Sequence, residues 1–353
     1  MNKTQAMKKF FRLITMGILL TLTLPMSAIN PFVTVKNGQF QRDGKPYYYV
    51  GTNFWYGAIL GSEGQGGNRS RLCKELDALK KAGIDNLRIL VGSDGKRGIK
   101  TKVEPTLQEA PGVYNDTILA GLDYLLMEMG KRRMVAVLYL NNSWEWSGGY
   151  GQYLEWAGAG VAPRPNEAGY PAFMNFVAQY ATNKKAHELF YNYVRFILGR
   201  TNRYTGLRYV DDPAIMSWQI GNEPRAFDKK VLPDFEAWLA ETSALIKEID
   251  SNHLVSIGSE GAWGCEGDYD AYEKICSDKN VDYCNIHLWP YNWSWARKDH
   301  LQEDLDQSCR NTKDYIDQHL AICSRLGKAL VMEEFGYPRE GFSFSPKSTT
   351  RAR

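Results

Sequence analysis

The chain reads as an α/β protein, a parallel (β/α)8 TIM barrel whose eighth strand and helix are missing. Three observations lead there. Seven apolar strand-like runs recur, at 47–54, 86–92, 134–140, 214–222, 254–260, 283–289 and 329–336. Amphipathic segments at 70–82, 117–131, 183–201, 231–249 and 302–326 lie between them, and strand–helix alternation builds a parallel sheet. Two of the strand runs end in carboxylic acids, and the carboxyl ends of barrel strands are where this fold builds its sites. Seven units with right-handed crossovers point to a closing barrel more than to an open sheet.

Taken in order, the first segment is a leader. Lys3, Lys8, Lys9 and Arg12 precede an apolar stretch over 13–24, then Pro25-Met26-Ser27-Ala28. This is the layout of a signal peptide over 1–28, with cleavage near Ala28, and it predicts an exported protein, secreted or periplasmic. The apolar stretch is shorter than the ~20 residues a membrane span needs, so no stable span is expected. Its removal takes four cations and no acids, which carries the formal net charge from +3 to −1. A near-neutral mature chain gives no reason to expect a nucleic-acid partner and suits a neutral polysaccharide.

The remainder, 29–353, holds no linker, low-complexity block or repeat and reads as one domain. The full chain's 10 Trp, 21 Tyr and 14 Phe include many beside Asn, Gly and Glu in loops, where flat rings can stack on sugar faces. The first strand ends in Asn53-Phe54-Trp55, and Asn53 and Trp55 are placed to shape one side of a cleft. No Gly-x-Gly-x-x-Gly follows it, which weakens a dinucleotide-binding alternative. The second strand carries Arg88. A long segment over 141–172, read as irregular, puts Trp144, Trp146, Tyr150 and Trp156 where they would line a groove.

The fourth strand ends in Asn222-Glu223-Pro224-Arg225; Pro224 cannot donate to a ladder, so the strand stops with Asn222 and Glu223 at its carboxyl end. The fifth ends at Glu260, the sixth in His287-Leu288-Trp289-Pro290 and the seventh in Glu333-Glu334-Phe335-Gly336. In a regular strand Glu333 points away from Glu334, into an ion pair outside the site. After Gly336 no further apolar run follows, so an open barrel edge and lowered stability are expected. Six cysteines are compatible with disulfides in an exported chain, Cys265–Cys276 being the preferred pair and buried thiols an equal alternative. Scattered histidines and the lack of Cys-x-x-Cys argue against a metal site.

Two strand ends that each deliver a carboxylate supply the pair glycoside hydrolysis requires. On Asn-Glu-Pro and Glu-Phe-Gly the chain resembles glycoside hydrolase family 5, and within it the endo-β-1,4-mannanases, over about 30–336. The resemblance implies a retaining endo-β-1,4-mannanase acting on a β-mannan polysaccharide or oligosaccharide, with Glu223 as acid/base and Glu334 as nucleophile. It further implies that Arg88 keeps Glu334 ionised and that Asn222 binds the sugar 2-hydroxyl. His287 matches the family's strand-six histidine. Trp289 stands where a tyrosine is common, and an indole donates a hydrogen bond but cannot accept one. Arg225 and Glu260 resemble substrate-contacting residues of mannanases. Burial and the charge of Glu334 would keep Glu223 protonated for its first step. No cofactor is implied, since two carboxylates and water complete the chemistry. An endo-β-1,4-glucanase on the same scaffold, or a non-catalytic polysaccharide-binding remnant, are the alternatives.

Overall fold

A computed structural model describes residues 30–96 and 102–339. The leader over 1–28 and the tail beyond 339 lie outside the described residues. All seven expected strands are present: β1 (Gly51–Asn53), β2 (Asn86–Leu90), β3 (Val135–Tyr139), β4 (Ile215–Gln219), β5 (Leu254–Ser256), β6 (Tyr283–Leu288) and β7 (Ala329–Phe335). β5-β4-β3-β2-β1 form one parallel sheet and β6-β7 a parallel pair. The two sheets join at β5 and β6, where Asp282 N–H donates to Val255 O (2.8 Å) and Gly258 N–H to the Asn285 side chain (2.9 Å). Strands β2, β3 and β4 are buried along their whole length, which is why they read as mainly apolar runs, broken only by Asn86 and Arg88 in β2 and by Ser217 and Gln219 in β4.

The predicted helices form as α1 (Arg69–Lys81), α2 (Asp116–Lys131), α3 (Lys184–Leu198), α4 (Leu232–Ile249) and α6 (Leu305–Leu326). Their starts follow side-chain capping: Asn68, Asn115 and Asn183 each accept a backbone N–H of the first turn. Gly327, in the left-handed region at φ 65°, ends α6. A further helix, α5 (Tyr269–Ser277), capped by Asp268, was not expected. The helices cover the outside of the sheet around Leu87, Ile89, Ala136, Leu138, Ile215 and Trp218. Inside, Val135, Val137, Met216 and Tyr283 meet Val33 and Phe40 of an N-terminal antiparallel flap, which closes the amino-terminal end of the barrel. No helix among the described residues is long and apolar enough to cross a membrane.

Between β7 and β1 the barrel stays open among the described residues. The two strands are bridged by Asn53 Nδ2–H donating to Glu333 O (2.9 Å), and beside them lies a cavity of about 1140 Å³. Tyr48 and Phe335 flank it at 81% and 73% exposure. No eighth strand or helix follows β7 among the described residues, in line with the sequence reading.

Two expectations are corrected. The 141–172 segment is largely helical, with Gly149–Ala157 and Pro165–Ala168 followed by Tyr170–Val177. Gly149 makes its fold-back possible, because a Cβ there would meet Asn142 O at 2.0 Å. Tyr150 therefore points into the core, stacked on Tyr180 at 3.9 Å, and Trp156 packs edge-on against Tyr153; neither is among the residues lining the open cavity. Cys265 and Cys276 are free thiols, as are the other four cysteines. Cys276 sits instead with Tyr272 and Cys284, so the short spacing in sequence does not bring it to Cys265.

Candidate active site

The site grows from the ends of β4 and β7. Beyond Gln219 the chain makes one more parallel bridge, Asn142 to Asn222, and then turns. Glu223 takes φ 49°, a left-handed conformation that costs a non-glycine residue about 1–3 kcal/mol. The turn is held on both sides: Glu223 N–H donates to Gly258 O (2.9 Å), and Ser143 Oγ–H donates to Glu223 O. The strained turn aims the carboxylate at two N–H groups. Glu223 Oε1 lies 2.7 Å from His287 Nδ1, and Oε2 accepts from the Trp144 indole.

At β7 the regular alternation fails. Ile286 pairs with Met332 but His287 pairs with Glu334, so Glu333 is an extra residue bulged out of register. This overturns the expectation that Glu333 faces away from the site. Its carboxylate is 5% exposed, accepts from Gln219 Nε2 at 2.8 and 3.0 Å, and lies 3.5 Å from Arg88 Nε. Glu334 meets the same guanidinium, with Arg88 Nη1–H donating to Oε1 at 2.7 Å.

Arg88 is the hub. It also donates to Gln219 Oε1 (2.7 Å), Asn222 Oδ1 (2.9 Å) and Asn53 Oδ1 (3.1 Å), and sits 4.6 Å above the Tyr139 ring. Burial alone would raise the Glu334 carboxyl. The cations of His287 and Arg88, the Arg88 hydrogen bond and the Trp289 indole outweigh it and hold the carboxyl below its ordinary value. Trp289 thus needs only to donate, which an indole can do in place of a phenol. Burial opposes charge on His287, yet Glu334, Glu223 and Glu333 around it raise it to about 10. Glu260 is pushed up to about 8 by burial and then by the charge of Glu223, with Arg225 only partly offsetting this. Arg225 reaches Glu260 at 3.5 Å and Glu266 at 3.1 Å.

The expected residues therefore gather. Arg88, Asn222, Glu223, Glu260 and His287 are buried together, and Glu334 and Trp289 stand at the mouth. Asn53, Trp55 and Trp146 line the adjoining cavity, while Trp144 packs between Phe173 and Phe227 beside Glu223. Gln219, Asn142 and Glu333 were missed as site residues. Gln219 alone carried a signal, a long polar side chain inside an otherwise apolar run. Glu223, His287 and Glu334 bring ligand-type atoms within 4.8 Å of one another. N–H donors of Trp144, Arg88 and His287 already face these carboxylates, so the cluster is a hydrogen-bonded acid–base site rather than a metal centre.

Paired carboxylates at the ends of barrel strands four and seven, one held by an arginine and the other by donors, mark this protein as a glycoside hydrolase. The chain belongs to glycoside hydrolase family 5: the family described as GH family 5 beta-mannosidase-like matches residues 30–353. Among solved structures it is similar to the family 5 mannosidase of Rhizomucor miehei, at 31% identity and TM-score 0.82 over 91% of this chain and 79% of that one. The endo-1,4-beta-mannanase of the same fungus aligns at 26% identity and TM-score 0.68, over 88% of this chain and 84% of that one. Among curated relatives, mannan endo-1,4-beta-mannosidase 7 of Arabidopsis thaliana is 27% identical, over 89% of this chain and 70% of the relative.

Proposed function

We propose that the protein hydrolyses internal β-1,4-mannosidic bonds of mannan, galactomannan or glucomannan by double displacement with retention. Glu334, ionised against Arg88, attacks the anomeric carbon while Glu223 gives its proton to the departing oxygen. Glu223 then takes a proton from water, which attacks the glycosyl–Glu334 ester and frees the carboxylate. One observation carries the reading: oxygens of Glu223 and Glu334 lie within 4.8 Å of each other. So close an approach of their nearest oxygens favours direct attack by Glu334 over the arrangement of an inverting pair, whose carboxyl groups stand ~6.5–9.5 Å apart to hold a water. Arg225 and Glu260, side by side next to Glu223, are assigned to the leaving-group side of the cleft. The leader over 1–28 supports export to the periplasm or medium, which N-terminal sequencing of the mature protein tests.

A second reading, removal of single mannose units from chain ends, is favoured by the greater likeness to the Rhizomucor mannosidase than to its endo-mannanase. Viscosity and reducing ends released from galactomannan, measured together and against carboxymethylcellulose, separate the readings. Internal cleavage drops viscosity early. End trimming releases mannose at nearly constant viscosity, and activity on the cellulose derivative alone would overturn the mannan assignment.

A further inference from the structure

His287 lies between two carboxylates. Its Nδ1 is 2.7 Å from Glu223 Oε1, and its Nε2 is 3.7 Å from Glu333 Oε2. The ring is fully buried, and Nε2 has no hydrogen-bond partner among the described residues. A neutral imidazole carries one N–H and one lone pair. Whichever tautomer forms, that lone pair would be turned on a carboxylate beside a fully buried ring. Only the imidazolium offers an N–H to each.

Glu333 has no place in the double displacement itself. It reaches the ring because the bulge turns it inward, and Gln219 fixes it there through two contacts of 2.8 and 3.0 Å. We propose that Glu333 is a positioning residue that holds His287 as an imidazolium aimed at Glu223, and so keeps a reserve proton beside the acid/base. The proton between Nδ1 and Oε1 belongs to the pair. Passing from His287 to Glu223 it leaves a neutral imidazole and a carboxylic acid, and the acid then protonates the departing sugar oxygen. The charge of Glu333 sets how far up in pH the pair keeps that proton.

Other charged groups face the ring. Glu334 on β7 is 3.6 Å from Nδ1, and Glu260 after β5 and Glu223 after β4 also act on it. Arg88 on β2 opposes them through its contacts with Glu333 and Glu334. Glu333 is distinguished by facing Nε2, the nitrogen that Glu223 does not reach.

This inference rests on Glu223 being the acid/base, so its test carries a readout independent of turnover. Nitrogen-15 NMR of His287 in the full chain at pH 8 is expected to show both ring nitrogens protonated. Glu333→Gln, which keeps an oxygen for Gln219, is expected to lower the His287 titration by about one unit or more, the effect of losing an opposite charge nearby. The basic limb of kcat/KM should fall in pH by a similar amount. A merely structural Glu333 would lower kcat at every pH and leave the limb where it was. A neutral His287 in the unsubstituted protein at pH 8, or a titration unmoved in Glu333→Gln, overturns the proposal. The first of these requires no variant to fold. Absence of mannoside hydrolysis with a protonated His287 would instead count against the function alone.

Discussion

Replacing Arg88 by Met removes one of the two cations, the other being His287, that face both β7 carboxylates. Methionine fills much of the space, but Glu333 and Glu334, 5% and 20% exposed, would then face each other with only His287, at 3.7 and 3.6 Å, to offset them. Breaking a buried ion pair from one side costs about 3–5 kcal/mol, because the remaining charge stays desolvated. Set against a typical stability of roughly 5–15 kcal/mol, that is about a fifth of the whole or more. The loss should depend on pH. Arg88 helps hold the Glu334 carboxyl below its ordinary value of 4.5, so the stabilisation is complete above that value and fades as pH falls through the lowered one. Urea unfolding followed by tryptophan fluorescence at pH 7 and pH 4 measures both effects. Arg88→Met should lose the stated amount at pH 7 and less at pH 4. Arg88→Lys, which keeps the charge but not the fork reaching Gln219, Asn222 and Glu334, should fall between. A pH 7 loss under about 1 kcal/mol, the scale of an exposed pair, would show that the arginine is not the electrostatic centre of the site.

The two carboxylates should separate kinetically: Glu334→Ala abolishes turnover on every substrate, whereas Glu223→Ala retains activity on aryl mannosides whose good leaving groups need little protonation. The reverse pattern would swap the roles. Stability should decline from mildly acid to alkaline pH, because raised folded-state values make folding a proton-uptake reaction. Glu260, at about 8 against an ordinary 4.5, and His287, at about 10 against 6.5, each stabilise fully below their unfolded values. Those contributions are lost over about pH 4.5–8 and 6.5–10 respectively. Asp94, pushed by burial to about 8, adds the same sign. Glu260→Gln should flatten the lower window in calorimetric scans across pH, and an unchanged profile would contradict the buried, protonated state of Glu260.

The residues legible in the chain were those that punctuation exposes. β4 ends at Gln219, and Pro224 marks the turn just beyond it that carries Glu223, while the apolar run of β7 leads directly to Glu334. Arg88 stood out as a cation inside an apolar strand. Glu333 could not be read, because period-two alternation assumes a regular ladder and a single bulged residue reverses it. The 141–172 segment read as a loop from its glycines and aromatics. Those glycines serve a tight fold-back, after which short helices pack their rings into the core. Helix α5 escaped notice because its nine residues lie in a polar stretch and its start depends on the Asp268 cap. The indole of Trp289 was legible as a departure from the family pattern. Its sufficiency as a donor became clear only from its place beside Glu334.

The central claim is that Glu334 forms a glycosyl ester in the first of two displacements. Proton NMR of a mannopentaose digest, recorded before mutarotation, tests it most directly. The newly formed reducing end should appear first as the β anomer and drift to the equilibrium mixture. A first-formed α anomer would mean inversion, with water rather than Glu334 attacking the sugar, and would contradict the account.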